Sequence, residues 1–133
     1  MKKEIGAALL LAAISSSAAA EWVKVASNPT FTTYADRTTI RKVGNMVRMW
    51  DLSDFKAVRV SASDKDYLSS KIEAEYDCRE WQFRIVFFSD HSGQMGEGEV
   101  VHRDAVPCDW QPVFPSTISE ALWNIACGAI VAT

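Results

Sequence analysis

The sequence predicts an α+β domain, an antiparallel β-sheet of about six strands with one C-terminal α-helix packed on it. Two observations carry this. Between Trp22 and Arg103 the apolar residues mostly recur at every second position, in strand-sized runs separated by turn residues. Helical spacing appears only after a proline-rich connection, and hairpins in series followed by a single helix favour a sheet covered on one face.

Residues 22–25 and 31–35 alternate large apolar with polar side chains around Asn28-Pro29, which gives two short strands and a turn. Residues 38–43 and 46–52 flank Gly44-Asn45, a pair that accepts positive φ cheaply and marks a hairpin. Residues 53–66 are polar and irregular and read as the longest surface loop. From 67 to 78, Ile72, Ala74, Tyr76 and Cys78 alternate with Glu73, Glu75 and Asp77, the pattern of a half-buried strand with an acidic outer face. Residues 82–89 are more uniformly apolar and read as a central strand covered on both sides. A turn over 90–93 and a strand over 95–103 follow, and Pro107, Pro112 and Pro115 keep 104–115 extended. Thr117 and Glu120 then fit a capping box, Ile118, Leu122, Ile125 and Ala126 form one apolar stripe, and Gly128 is a natural helix stop.

Size and composition set the class. Residues 1–20 run from Lys2-Lys3 through an apolar stretch to Ala18-Ala19-Ala20, the order of a cleaved secretory signal peptide. The apolar stretch is about half the ~20 residues that a membrane span needs, so no stable membrane anchor is expected. The remaining residues, 21–133, have the length of a single domain. Hydrophobic residues at 48% and charged residues at 23% belong to a folded chain. Losing the leader takes basic residues from 14 to 12 and acidic residues from 17 to 16, a net charge of −4, and with no later Lys/Arg run nucleic acid is disfavoured as a partner.

Export places Cys78, Cys108 and Cys127 in an oxidising compartment, where one bridge can form and one thiol is left over. Chain entropy does not choose the pair, because the candidate loops differ by under about 1 kcal/mol. No C-x-x-C or zinc-finger spacing is present. His91 and His102 are eleven residues apart and read as a solvated turn-and-strand pair rather than a metal site. Cys108 with His102 and Asp109 is a weak nucleophile set, and no carboxylate stands in a nonpolar setting that would raise its pKa. The run Gly93 to Gly98 lacks the following helix of a phosphate loop and reads as a bulge or a close crossing. No catalytic signature, cofactor or metal is therefore expected, and the chain reads as a non-enzyme. Arg37, Arg41, Lys42 and Arg48 form the densest basic stretch, a candidate partner-binding hairpin face. Of five tryptophans, Trp81 and Trp110 are the best candidates for exposed binding aromatics, and Trp123 shares a helix side with Cys127.

The Trp-led first strand, Tyr34-Ala35-Asp36 before Thr39-Ile40, Tyr76-Asp77-Cys78, Met95 to Gly98, Trp110 to Pro115 and Ala126-Cys127-Gly128 together resemble the bacterial surface-adhesin protein E family. The likeness runs over nearly all of 22–128. It implies a sheet with a C-terminal helix, stapled by a Cys78–Cys127 disulfide, with Cys108 left as a free thiol. It also implies an adhesin-like module that binds protein partners, host extracellular matrix proteins such as vitronectin and laminin among them. Two departures stand beside it. The family's namesake is lipid-anchored, and this chain has no Cys directly after its leader. The mature charge is acidic where matrix-binding surfaces tend to be basic. A periplasmic structural or envelope-maintenance protein is the alternative reading.

Overall fold

The computed structural model of the chain describes residues 19–105 and 107–131, so the expected leader lies outside the described residues apart from Ala19 and Ala20. The elements in chain order are β1 (Val23–Ser27), β2 (Phe31–Val43), β3 (Met46–Val60), β4 (Asp66–Asp77), β5 (Gln82–His91), a 3-10 turn (Gln94–Gly96), β6 (Val100–Asp104), β7 (Gln111–Pro112) and α1 (Ile118–Val131). The six main strands lie side by side in chain order, every pairing is antiparallel, and the two-residue β7 joins β5. Sequential hairpins leave one chain end to supply the cover, and α1 packs on β1 through β4.

The 44–45 turn forms with Gly44 at φ +63°, which only glycine adopts without strain. Strand lengths differ from expectation at two places. The expected 31–35 and 38–43 strands are one strand, β2, whose register against β3 slips between Asp36 and Arg41; Asp36 holds that irregularity by accepting from the Thr38 amide (3.0 Å) and hydroxyl (2.5 Å). The expected loop over 53–66 is mostly strand, since β3 continues to Val60 and pairs as far as Val60 with Asp66. Val58 and Val60 in this extension are exposed, so no core-facing pattern announced it. Phe55 secures its base, with edge contacts to Phe31 and Tyr67 at 5.8 and 5.6 Å and the Arg59 guanidinium 4.7 Å above its ring.

The core lies between the sheet and α1: Ala35, Val47, Met49, Ala74 and Tyr76 from the strands meet Leu122, Trp123, Ala126 and Cys127 from the helix. It centres on β3 and β4 rather than β5, which is fifth in the sheet. The apolar side chains of β5 are shared between two partly covered faces, and of its large hydrophobics only Val86 is fully buried. The capping box forms: the Glu120 amide donates to Thr117 Oγ1 at 3.1 Å, and Glu120 Oε1 accepts from the Ser116 amide at 3.0 Å. Gly128 does not end the helix, which runs three residues further. The disulfide joins Cys78 to Cys127, and Cys108 is an exposed free thiol.

Residues 93–98 do not extend β6. They form the 3-10 turn, which folds onto the sheet: the Met95 amide donates to Asp54 Oδ1 (2.8 Å) and the Gly96 amide to Ser69 Oγ (2.8 Å). Gly96 and Gly98 have φ of +74° and +79°, and a Cβ at Gly98 would collide with Ser92 Oγ and the Gly93 backbone. Close crossing is thus the reason for these glycines.

Candidate functional site

Along β4, Ala74 and Tyr76 point toward α1, so Glu73 and Glu75 point to the opposite face of the sheet. They are buried there, contrary to the expected acidic outer face. The reason is a row of charges across four strands: Arg41 of β2 lies beside Arg48 of β3, which lies beside Glu75 of β4 and then Arg84 of β5. Glu75 accepts from Arg48 Nε at 2.9 Å and from Arg84 Nη2 at 2.8 Å, and Arg41 reaches Glu73 at 2.9 Å. Arg41 and Arg48 are like charges side by side, and the two glutamates make that arrangement tolerable. Replacing Glu75 with Gln is expected to cost about 2 kcal/mol, because it strands two partly buried guanidinium groups. A shift of the urea midpoint worth less than 0.5 kcal/mol would show that solvent already screens them.

The four residues of the basic stretch do not share one face. Arg41 and Arg48 join the ion-pair row, while Lys42 pairs opposite Val47 and so sits on the helix side. Arg37 lines a shallow hollow with Asn124 and Ile125 of α1.

Trp81 and Trp110 mark the end of the sheet where the disulfide lies. Trp81, in the turn between β4 and β5 with φ +53°, is 50% exposed and stacks on buried Trp123 with ring centroids 4.2 Å apart. Trp123 is fixed in turn by its indole N–H, which donates to the Asp77 carbonyl (3.2 Å), and it sits beside the Cys78–Cys127 bridge. The Val113 amide donates to the Trp81 carbonyl (2.9 Å), which brings 62%-exposed Phe114 to the same end. Trp110 is on the other side of the sheet, half-buried under the Arg84 guanidinium at 4.6 Å. The connection carrying it runs along β5, where the Cys108 amide donates to the Ile85 carbonyl (2.8 Å).

The helix side holds a feature contrary to expectation. Asp51 does stand in a nonpolar setting. It is 4% exposed, lies between Ala35 and Ile72 in the sheet, and has no hydrogen-bond partner among the described residues. Burial pushes its pKa up to about 8. Burial also raises the Tyr76 hydroxyl well above its ordinary range, with the neighbouring Asp51 charge adding to the effect. Both residues line a cavity of about 220 Å³ between the sheet and α1. The signal was present in the sequence, since Val47, Met49 and Asp51 share one parity along β3.

The histidines are not a solvated pair. His91 ends β5 and is buried, 2.8 Å from the Ser89 hydroxyl, and its pKa is lowered first by burial and then by Lys71. His102 Nδ1 is 2.7 Å from the Ser63 hydroxyl. Among the described residues no group of three or more His, Cys, Asp or Glu side chains is placed to hold a metal ion, and no helix is long and apolar enough to cross a membrane.

The family model for surface-adhesin protein E matches residues 22–128. The chain belongs to that family. Among solved structures it is similar to protein E of Haemophilus influenzae, at 14% identity and a TM-score of 0.65, over 90% of this chain and 92% of that one. A second crystal form of that protein gives 13% identity and a TM-score of 0.65, over 86% and 93%. Protein E from non-typeable Haemophilus influenzae gives 15% and 0.62, over 89% and 83%. At these identities the structural likeness establishes the shared fold: the antiparallel sheet with its C-terminal helix, here carrying the Cys78–Cys127 link. No curated protein sequence matches the chain.

Proposed function

We propose that this protein is an exported, non-enzymatic adhesin-like module that binds a protein partner through its disulfide end. Family membership supports the adhesin class. The observation that carries the surface assignment is Trp81, a half-exposed indole already immobilised on Trp123 and the backbone behind it. An aromatic anchor held in place before binding loses little further freedom on association, which is how a few residues come to dominate an interface. Phe114 extends this anchor. Trp110 and the Arg84–Glu75–Arg48 row form a second, more polar patch on the opposite face, to which Arg41 belongs. Arg37 and Lys42 lie outside both.

The partner class is an extracellular matrix protein, and the test is binding of the mature protein to immobilised laminin and vitronectin. Trp81→Ala is expected to weaken binding at least about tenfold, while the thermal transition stays cooperative. Equal binding by the variant would remove Trp81 from the interface. Binding to neither matrix protein, with the chain protected from protease on intact cells, would favour an envelope role instead.

A further inference from the structure

Among the described residues six carboxylate side chains are buried, and five of them have hydrogen-bond partners. Asp36 holds the β2 irregularity, Glu73 and Glu75 take the arginines, Asp77 accepts from the Arg79 and Glu80 amides at 3.1 Å each, and Asp90 accepts from Ser70 Oγ at 2.6 Å. Asp51 is the exception. It does not stand alone, because Thr33 Oγ1, on the neighbouring strand and lining the same cavity, is a fully buried oxygen with no hydrogen-bond partner among the described residues. The Tyr76 hydroxyl, on the other side of β3, also has no hydrogen bond among the described residues. Asp51, Thr33 and Tyr76, from three adjacent strands, thus line one cavity. Apart from Ser53 and Ser119 at its partly exposed margin, the rest of its wall is apolar, with Ile72, Phe83 and Ile85 from the sheet and Ile118 and Leu122 from α1. A mostly apolar cavity with a few convergent polar groups is the usual form of a small-molecule site.

We propose that this cavity binds a small monoamine, with an ammonium head held among Asp51, Thr33 and Tyr76 and an apolar body against α1. Each part of the head is matched. An ammonium brings three N–H donors and no acceptor, and the cavity presents one carboxylate together with hydroxyl oxygens, those of Thr33 and Tyr76 being buried and without a hydrogen bond among the described residues. A neutral ligand would meet Asp51 in its protonated, uncharged form, whereas a cation gives the ionised carboxylate what the other buried carboxylates obtain from arginine, amides or a hydroxyl. The body is bounded by volume. A cavity of about 150 Å³ accepts benzene, so 220 Å³ takes a six-membered ring with a one-carbon arm and an amine. The net negative charge of the protein favours entry of a cation.

Binding has a proton balance. Burial keeps Asp51 protonated near pH 7, so the entering ammonium displaces that proton, which leaves to solvent, and takes its place beside the carboxylate. Among the described residues Tyr76 is the only other titratable group lining the cavity, since β2, β5 and α1 contribute Phe31, Thr33, Phe83, Ile85, Ile118, Ser119 and Leu122 to the wall and β3 and β4 add Ser53, Ile72 and Ala74. Its hydroxyl stays neutral over the range concerned.

The test is calorimetric titration of the mature protein with cyclohexylmethylamine, against cyclohexylmethanol as a neutral match, from pH 6 to 8.5. An alkylamine stays protonated throughout that range, as a lysine with pKa about 10.4 does. The amine is expected to bind at least about tenfold more tightly at pH 8.5 than at pH 6. In buffers of different ionisation heat, about one proton is released per amine at pH 6.5 and little at pH 8.5. Asp51→Asn, which keeps the shape, should lose at least tenfold in affinity with an intact thermal transition, and Thr33→Val should lose part of it. No binding of the amine at millimolar concentration overturns the proposal. So does equal or tighter binding of the alcohol, or amine binding that Asp51→Asn leaves unchanged.

Discussion

Asp51→Asn is expected to stabilise the protein at pH 8.5 by several kcal/mol and to change it little near pH 4. The sign follows from where the proton sits. In the unfolded chain Asp51 ionises near its ordinary value of 3.8, and in the fold it keeps its proton to about pH 8. Between those values the folded state holds a proton that the unfolded state has lost, so stability falls with rising pH at about 1.4 kcal/mol per unit. The contribution is complete below pH 4 and gone above pH 8. The accumulated cost of wild-type Asp51 is then up to about 5 kcal/mol, which an asparagine, having no charge to bury, does not carry. For a domain of this size the gain corresponds to more than about 10 °C in melting temperature at pH 8.5. His91 acts with the opposite sign. Its lowered pKa means that folding opposes protonation, so stability is lost as pH falls below about 6.5. Wild-type protein should therefore be most stable in mildly acidic solution, and the variant should shift that optimum upward. Melting curves of both proteins from pH 4 to 9 decide the matter. A constant difference across that range would mean that Asp51 is ionised in the fold and that its surroundings are wetter than the cavity walls indicate.

A buried acid that costs stability is hard to account for by folding alone. Residues that break the local rule of their strand without a structural gain cluster at functional sites. Val47 and Met49 obey the parity of β3 and fill the core, and Asp51, next in the same row, does not. Parity carried the signal for that row, although no carboxylate was expected in a nonpolar setting. What it could not reveal is why Glu73 and Glu75, on the other parity of β4, are also buried. Their partners come from strands 9 to 32 residues away in sequence, and only the antiparallel register brings Arg41, Arg48 and Arg84 alongside them. Irregularities defeated simple counting elsewhere. Register slips in β2 between Asp36 and Arg41, in β3 between Asp54 and Arg59 and in β5 between Ile85 and Phe87 each shift the alternation of that strand, so a two-residue period read across them assigns side chains to the wrong face. Local chemistry was the more legible part. Gly44 turned the hairpin and Thr117 with Glu120 started the helix, because both signals act within four residues. The 53–60 extension had no such signal. Its valines face water, and the partner strand alone makes it a strand.

Opening the Cys78–Cys127 bridge is expected to cost about 4 kcal/mol, the loop-closure entropy of the 49-residue segment it spans. That entropy acts on the unfolded chain, but here a native-state effect is added. The bridge joins the end of β4 to the third turn of α1, and Trp123, one helical turn earlier, is clamped between the Asp77 carbonyl and the Trp81 ring. Without the bridge, α1 is held by its apolar stripe and cap, and the stacked indoles lose the covalent limit on their separation. The Cys78→Ala/Cys127→Ala double variant should show two changes. The urea midpoint falls by an amount worth about 4 kcal/mol, and the near-ultraviolet dichroism of the coupled indoles weakens before the far-ultraviolet signal of the sheet does. Cys108→Ser, at an exposed thiol outside the bridge, should shift the midpoint by less than about 0.5 kcal/mol. If matrix-protein binding depends on a pre-ordered Trp81, the double variant also binds more weakly at urea-free stability, at a temperature where its far-ultraviolet spectrum is still native. Loss of stability with undiminished binding would separate the staple from the anchor and place the contact surface elsewhere on the sheet.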